Sequence, residues 1–178
     1  VSTRVALPEA MVVCSLSGKR VLQDEAELSA TTGRIVAKAF LRTSEISGKR
    51  AEPDEFDRCS FTKVDALHSE LAASDLSGRK YRADQEMISP LSGKKGHSSE
   101  FVECHETRQQ IALVESEQCE ITGHRVCPGI LQKCSLSKKQ VLPSELELSA
   151  VTGQMVAKGL LRTSSISGKR AEPDQFGK

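Results

Sequence analysis

Residues 14–58 read CSLSGKRVLQDEAELSATTGRIVAKAFLRTSEISGKRAEPDEFDR, which divides into three units of 15 residues with one shared pattern. Each unit opens with Cys or Ser, carries Ser or Thr three residues later, and continues with Gly and then Lys or Arg. The same register runs without insertion or deletion to Lys178 and gives eleven units. A fixed period of this kind predicts a tandem repeat in which neighbouring units stabilise one another.

Two positions of the unit accept very few residue types. The opening residues are Cys14, Ser29, Ser44, Cys59, Ser74, Ser89, Cys104, Cys119, Cys134, Ser149 and Ser164, and the fourth residue is Ser or Thr in all eleven units. The fifth residue is Gly in eight units and Lys63, Arg108 or Lys138 in the others. We predict a positive φ angle at the fifth position throughout, because Gly adopts it freely while Lys or Arg there costs on the order of 1 kcal/mol.

The pattern covers the whole chain, so we expect residues 1–178 to form a single repeat array. Residues 1–13 fit as a partial unit, and residues 134–178 closely repeat residues 14–58 at an offset of 120, which indicates duplication of an eight-unit block. An array that starts within a repeat and ends without a polar cap is expected to be a fragment of a longer protein.

The apolar residues predict the fold class. They recur at the third, eighth and thirteenth positions, as in Leu16, Val21 and Ala26, and we expect these three columns to form the core. The turn flanked by short apolar stretches predicts a β-hairpin, and the Pro-acidic segments predict one short helical turn or loop. We therefore expect a solenoid of stacked 15-residue hairpin units, with an all-β solenoid as the alternative. The unit that opens at Cys104 has Glu106 and Ser116 in core columns and is the expected weak point.

The C-x-x-S-G-K turns resemble the zinc knuckles of zinc-ribbon and treble-clef domains, in which C-x-x-C-G-K turns between two short strands. In this chain the second cysteine is always replaced by Ser or Thr. The resemblance implies degenerate knuckles that kept the turn and mostly lost the metal, with the hydroxyl bonding the turn backbone instead. It also implies a similarity to modules appended to bacterial nucleic-acid machines such as helicases.

Potential metal ligands accumulate in residues 104–134. A zinc site of Cys119, His124, Cys127 and Cys134 is one reading of this stretch. The favoured reading is that the opening Cys is a small buried residue interchangeable with Ser, and a disulfide is a third. We accordingly expect no cofactor, and we expect reduced thiols in a cytoplasmic protein.

The charged columns suggest partners. The sixth position forms a basic ridge of Lys19, Arg34, Lys49, Arg79, Lys94, Lys139 and Lys169. The twelfth position forms an acidic edge of Glu25, Glu55, Glu70, Glu100, Glu115 and Glu145. A regular basic ridge is compatible with nucleic-acid binding, but one Tyr, five Phe and no Trp provide few aromatic residues for base stacking.

We therefore expect a non-catalytic scaffold for protein-protein interaction or spacing. The alternative is a nucleic-acid-binding accessory module of a larger nucleic-acid-processing protein that uses the basic ridge. Cys104, His105 and Glu106 are sequence neighbours without a pattern for nucleophilic catalysis, so an enzyme is not expected. The apolar stretches are too short to span a bilayer, and no membrane or small-molecule partner is expected.

Overall fold

The computed structural model describes residues 10–176, and there each repeat forms one antiparallel β-hairpin. The hairpin surrounds the turn that starts at the opening Cys or Ser. Its first strand precedes the opening residue, and its second strand follows the sixth residue of the unit, so that Val12 pairs with Val21 around Cys14. The predicted hairpin is confirmed, and each one begins in the last residues of the preceding unit.

Eleven two-stranded sheets make up the described part of the chain. The first five pair β1 (Met11–Val13) with β2 (Arg20–Leu22), β3 (Ala26–Leu28) with β4 (Ile35–Ala37), β5 (Arg42–Thr43) with β6 (Arg50–Ala51), β7 (Phe56–Arg58) with β8 (Asp65–Leu67), and β9 (Leu71–Ala73) with β10 (Lys80–Arg82). The other six pair β11 (Glu86–Ile88) with β12 (Lys95–His97), β13 (Phe101–Glu103) with β14 (Gln110–Ala112), β15 (Glu117–Gln118) with β16 (Arg125–Val126), β17 (Gln132–Lys133) with β18 (Gln140–Val141), β19 (Leu146–Leu148) with β20 (Met155–Ala157), and β21 (Arg162–Thr163) with β22 (Arg170–Ala171).

A single 3₁₀ turn of three residues follows most hairpins. These turns are Gln23–Glu25, Lys38–Phe40, Pro53–Glu55, His68–Glu70, Ala83–Gln85, Ser98–Glu100, Leu113–Glu115, Pro143–Glu145, Lys158–Leu160 and Pro173–Gln175. At the corresponding place after β16, Pro128 and Gly129 form an ordinary turn, in which Gly129 has a φ of +79°. These 3₁₀ turns lie in the segments for which the sequence predicts a short helical turn or loop, and residues 10–176 contain no α-helix.

The core is formed by the opening, eighth and ninth residues of the units. The eighth column is buried from Val36 onward, for example at Ile111, as the sequence predicts, and is half-buried at Val21. The ninth column, which sequence patterning missed, is buried at Ala112 and Leu142 and also at the charged Glu52. The thirteenth column ranges from buried to half-buried.

The third column was predicted to belong to the core, and this prediction is wrong. Leu91 and Leu136 are 47% and 48% exposed, and Val151 is 62% exposed. The physical reason is the turn itself, which directs the opening side chain toward its own backbone N–H groups and leaves the third residue at the corner of the loop. Apolar character alone did not distinguish a turn corner from a core position.

The expected weak point also rested on this column. Cys104 and Ile111 are fully buried and belong to the larger of two clusters of buried apolar residues. Glu106 is exposed, so its charge removes nothing from the core. Ser116 donates its hydroxyl proton to the carbonyl of Leu113 at 2.8 Å, which satisfies it locally. The stated reason for weak packing in this unit is therefore wrong.

Consecutive hairpins are joined by a recurring backbone hydrogen bond. The N–H of the second residue of one unit donates to the carbonyl of the seventh residue of the next unit. The pairs are Ser15 to Ile35, Ala30 to Arg50, Glu45 to Asp65, Ser60 to Lys80, His105 to Arg125, Glu120 to Gln140, Ser135 to Met155 and Ala150 to Arg170, at 2.7–3.1 Å. This bond fixes the register between neighbours, which a unit with so few apolar side chains requires.

Four of the units that open with Ser contact the following unit through a carboxylate. The Ser29 hydroxyl donates to Glu52, whose other oxygen accepts from the Thr32 hydroxyl at 2.6 Å. The same arrangement recurs 120 residues later at Ser149, Thr152 and Glu172. At Ser44 and Ser89 the acceptor is instead the twelfth residue of the next unit, Glu70 or Glu115, at 2.5 Å. We call these contacts hydroxyl junctions.

Units that open with Cys contact the following unit differently. The sulfur of Cys14 accepts the backbone N–H of Ala37 at 3.3 Å, and the sulfur of Cys134 accepts that of Ala157 at the same distance. The side chain that faces the sulfur is the methyl group of Ala37 or Ala157, which occupies the ninth position where Glu52 and Glu172 stand in other units. An apolar contact therefore takes the place of the carboxylate. We call these contacts thiol junctions.

The chain divides into two compact units between Glu86 and Met87. The larger apolar cluster lies in the second unit and extends from Cys104 to Leu161. A smaller cluster around Val36 lies in the first unit.

Candidate functional site

The turns at the start of each unit are exposed to solvent, and they repeat the same residue types at the same positions. In the first turn the N–H of Cys14 donates to the carbonyl of Lys19 at 2.9 Å, and the N–H of Gly18 donates back to the carbonyl of Cys14 at 2.8 Å. The hydroxyl of Ser17 accepts the N–H of Lys19 at 3.3 Å. The same bond recurs in most turns, as the sequence predicts, but the hydroxyl of Ser137 does not bond its turn backbone.

The opening side chain organises the same turn from inside. The hydroxyl of Ser44 accepts the N–H groups of Ile46 and Ser47 at 3.2 and 3.4 Å. The sulfur of Cys134 accepts the N–H of Ser137 at 3.4 Å in the equivalent place. Sulfur and oxygen therefore serve the turn alike, although they make different junctions.

The fifth position has the predicted left-handed backbone in every described turn. Lys63, Arg108 and Lys138 have φ angles of 64°, 60° and 63°, close to those of the glycines that occupy the column elsewhere. Two of these lysines also bond their own turn, since Lys63 Nζ donates to the carbonyl of Ser60 and Lys138 Nζ to that of Ser135, each at 2.6 Å. This contact offsets part of the strain and was not predicted from the sequence.

The turns present apolar and basic residues together. The seven residues of the basic ridge, from Lys19 to Lys169, are all exposed. No ion pair within residues 10–176 involves them, although Arg79 lies over the ring of Phe61 at 6.0 Å. In six of the seven ridge turns the third residue, three positions earlier, is apolar, and the exception is Thr31. Each of these six turns therefore combines one apolar and one cationic side chain.

The predicted acidic edge is not a free surface. All six of its carboxylates are half-buried, and Glu70 and Glu115 accept hydroxyl bonds in the junctions. Glu70 and Glu115 therefore hold neighbouring units together, whereas the residues of the basic ridge stay exposed.

An open groove lies beside the first turn. It is lined by Leu16, Phe40, Leu41, Arg42 and Pro53 and has a volume of about 580 Å³. Phe40 is 48% exposed and Leu16 is 47% exposed, so the apolar lining is accessible. The repeated segment places the exposed Leu136 and Leu160 at the corresponding positions.

The four candidate zinc ligands are not gathered into one cluster. Cys119 is buried and accepts the N–H of Thr122, while Cys134 lies at the thiol junction with Ala157. Cys127 instead faces Cys104, whose sulfur accepts its N–H at 3.2 Å. Within residues 10–176 no group of three or more His, Cys, Asp and Glu side chains is positioned to hold a metal ion.

His124, the fourth candidate ligand, is exposed and stacks on His105. The two ring centroids are 3.9 Å apart and the rings are nearly parallel, with 7° between their planes. The nitrogen lone pairs of an imidazole lie in its ring plane, so two stacked rings do not direct them at a common point between the rings. The pair therefore reinforces the contact between two turns rather than forming a chelate.

Comparison with protein-family models, with curated proteins and with solved structures finds no match to this chain. No helix in the described part of the chain is long and apolar enough to cross a bilayer.

Proposed function

We propose that this chain is a non-catalytic repeat scaffold whose turns bind a protein segment carrying apolar and acidic side chains. The exposure of the third column carries the proposal. Leu16, Leu91, Ile121 and Leu136 are 47–48% exposed, and they occupy the same position in four turns. Clustered exposed apolar side chains are typical of interaction sites, especially where polar residues surround them.

Charge complementarity supports an acidic occupant. The sixth residue is Lys in the turns of Leu16, Leu91 and Leu136, and none of these lysines makes an ion pair within residues 10–176. A segment with alternating apolar and acidic residues would bury the first kind of side chain in the groove and pair the second with the ridge. Complementary charges of this kind increase specificity and association rate.

The duplication supports a scaffold with more than one binding site. Leu136 and Leu160 are exposed and occupy the positions, 120 residues later, of the groove residues Leu16 and Phe40. Two sites on one chain raise the apparent affinity for a partner with two matching segments. In this proposal the hairpins form a solenoid of stacked units in a cytoplasmic protein, which is supported by the recurring backbone bond between units and by six free cysteines.

We also propose that the turns are zinc-knuckle-like turns that persist without metal. Supporting this, backbone N–H groups donate to the opening sulfur or oxygen, as Thr62 does to Cys59 and Thr32 does to Ser29. Such bonds supply locally the organisation that a metal ion supplies in a zinc knuckle.

A displayed random peptide library selected on the immobilised chain tests the proposal, with a selected peptide then titrated by fluorescence anisotropy. We expect enrichment of apolar and acidic residues, and a loss of affinity of about tenfold or more in a Leu16→Glu, Leu136→Glu variant. The matched control is Leu28→Glu with Leu148→Glu, since these residues are 63% and 60% exposed but lie in strands outside the turns. Equal losses in both variants, or no enriched pattern, would refute the proposal.

The second candidate function is nucleic-acid binding, which the seven exposed residues of the basic ridge favour. Against it, the single Tyr81 is fully buried and cannot stack on a base. Labelled single- and double-stranded oligonucleotides titrated at about 50 and 200 mM salt distinguish the two candidates. Binding with a steep salt dependence, abolished by Lys19→Ala with Lys139→Ala, would establish the nucleic-acid function. The scaffold proposal predicts no binding at the higher salt concentration.

A further inference from the structure

Three thiol junctions share one geometry. The opening sulfur accepts the backbone N–H of the residue 23 positions later, at 3.3 Å for Cys14 with Ala37, 3.3 Å for Cys134 with Ala157 and 3.2 Å for Cys104 with Cys127. The Cβ atom of the later residue therefore lies near the opening sulfur in each case. In two junctions that Cβ is a methyl group, and in the third it carries a second thiol.

The two thiols of the third junction are in contact. Cys104 is fully buried and Cys127 is 9% exposed, and their side chains are within hydrogen-bonding distance of each other. The Cys127 sulfur also lies 3.5 Å from the Thr107 hydroxyl oxygen. Two sulfurs in adjacent hairpins are thus held together by the same backbone bond that fixes the other thiol junctions.

The surroundings make the two thiols chemically different. Burial raises the pKa of Cys104, but hydrogen bonds from Thr107 and from Cys127 outweigh it and lower the pKa to about 7. Burial raises the pKa of Cys127, and the neighbouring Cys104 sulfur raises it further. A thiolate beside a thiol is the pair that disulfide formation requires.

We propose that Cys104 and Cys127 form a reversible disulfide that cross-links two consecutive repeat units, with a hydroperoxide as the oxidant. The Cys104 thiolate attacks one oxygen of hydrogen peroxide, the O–O bond breaks, and the hydroxide released takes a proton to become water. The Cys127 sulfur then attacks the Cys104 sulfenic acid, the S–O bond breaks, and the leaving hydroxide takes the Cys127 proton. The two sulfurs lose two electrons, the peroxide gains them, and two water molecules form.

The bond would close the chain between two turns that also stack His105 on His124. It would prevent these two units from separating, because the cross-link replaces a junction that otherwise opens by breaking hydrogen bonds. The other cysteines also open units, and in each case the ninth residue of the following unit is not a cysteine. These cysteines are Cys14, Cys59, Cys119 and Cys134. They serve as internal controls, and the inference does not depend on the proposed function.

The test treats the folded 178-residue chain with hydrogen peroxide, alkylates the remaining thiols and maps the peptides by mass spectrometry. We expect one cross-linked peptide pair joining Cys104 to Cys127, lighter than the two reduced peptides by two hydrogen atoms. A dithiol reductant should reverse the bond, and the oxidised chain should have a higher midpoint of thermal unfolding than the reduced chain.

Two variants separate the geometry from general reactivity. Cys127→Ala reproduces the junction of Cys134 with Ala157, should fold, and should lose the cross-link. Ala157→Cys should add a second cross-link, to Cys134. Alkylation of both Cys104 and Cys127 after oxidation of the folded chain, or their random linkage to other cysteines, would overturn the proposal whatever the second variant shows.

Discussion

The hydroxyl junction at Ser149 and the thiol junction at Cys134 occupy neighbouring units and use the same column, yet they are built on opposite principles. Ser149 and Thr152 both donate to the buried carboxylate of Glu172. Cys134 accepts a backbone N–H and faces the methyl group of Ala157. A buried hydroxyl needs a partner and a buried carboxylate needs donors, so each requires the other, whereas a thiol tolerates an apolar neighbour. We therefore expect that Cys and Ser are not interchangeable in the opening column.

The largest effect is expected when a carboxylate is placed against a thiol. Ala157→Glu buries a charge opposite Cys134 without the pair of hydroxyl donors that Glu172 has, and should lower the free energy of unfolding by about 3 kcal/mol. Urea denaturation followed by circular dichroism measures the loss. The matched control is Lys158→Glu, which changes an exposed neighbour. Equal losses in both variants would show that the facing residue is unimportant.

A smaller effect is expected when the carboxylate of a hydroxyl junction is neutralised. Glu52→Gln keeps the shape of the side chain but directs one amide group at hydroxyls that were donating, and should destabilise the chain by about 1–2 kcal/mol. Glu55→Gln, in the 3₁₀ turn that follows, is the control and should change the free energy of unfolding little. If both substitutions have the same effect, the buried bonds of Glu52 add nothing specific.

The hydroxyl junctions should weaken in acid. Burial raises the pKa of Glu52, but hydrogen bonds from Ser29 and Thr32 outweigh it, so the pKa lies below its ordinary value of 4.5. Hydroxyl bonds likewise lower the pKa of Glu172. A carboxyl whose pKa is lower in the folded state stabilises the fold above its unfolded value and loses this contribution as the pH falls through its folded value. The free energy of unfolding should therefore decrease as the pH falls below about 4.5. The decrease should be smaller in a Glu52→Gln, Glu172→Gln variant than in the unsubstituted chain.

The thiol junctions should respond in a different pH range. Burial raises the pKa of Cys134, but hydrogen bonds from Ser137 and backbone N–H groups outweigh it and lower the pKa from 9.0 to about 7. The same sign rule makes the folded state gain stability as the pH rises from about 7 to 9. Cys134→Ala should reduce this gain in urea denaturation across that range. If the free energy of unfolding rises between about pH 7 and 9 as much in Cys134→Ala as in the unsubstituted chain, the attribution of this rise to Cys134 is contradicted.

The smallest effect concerns the turn and should be independent of the junction. Lys138 lies at positive φ in the Cys134 turn, and Gly153 has the same conformation in the Ser149 turn. Lys138→Gly should stabilise the chain by less than about 1 kcal/mol, because relief of strain is partly offset by the bond from Lys138 Nζ to Ser135. Gly153→Lys should destabilise it by a similar amount. A much larger effect in one turn than in the other would show that turn and junction are coupled.

The features predicted correctly from the sequence are those set by the backbone. The hairpins and the positive φ at Lys63, Arg108 and Lys138 follow from the turn pattern, because few conformations satisfy it. The ninth column was missed since it contains Glu52, His97 and Cys127, whose mixed polarity hides a buried position.

The junctions and the exposure of the turns could not be predicted from the sequence, for a related reason. A junction matches a residue to one 23 or 26 positions later, as Ser29 to Glu52 and Ser44 to Glu70, and a single 15-residue pattern does not display such pairs. Leu16 was assigned to the core because its apolar character recurs with the period, although its turn leaves it exposed. Periodicity identified the columns but not the direction each column faces.

A double-mutant cycle on Cys134→Ser and Ala157→Glu tests the central claim that the two junction types are matched pairs. The introduced serine together with Ser137 should supply the two hydroxyl donors that Ser149 and Thr152 give to Glu172. We predict that the double variant regains about half of the stability lost by Ala157→Glu alone, with a coupling energy of about 1.5 kcal/mol in urea denaturation. Strictly additive losses would contradict the claim.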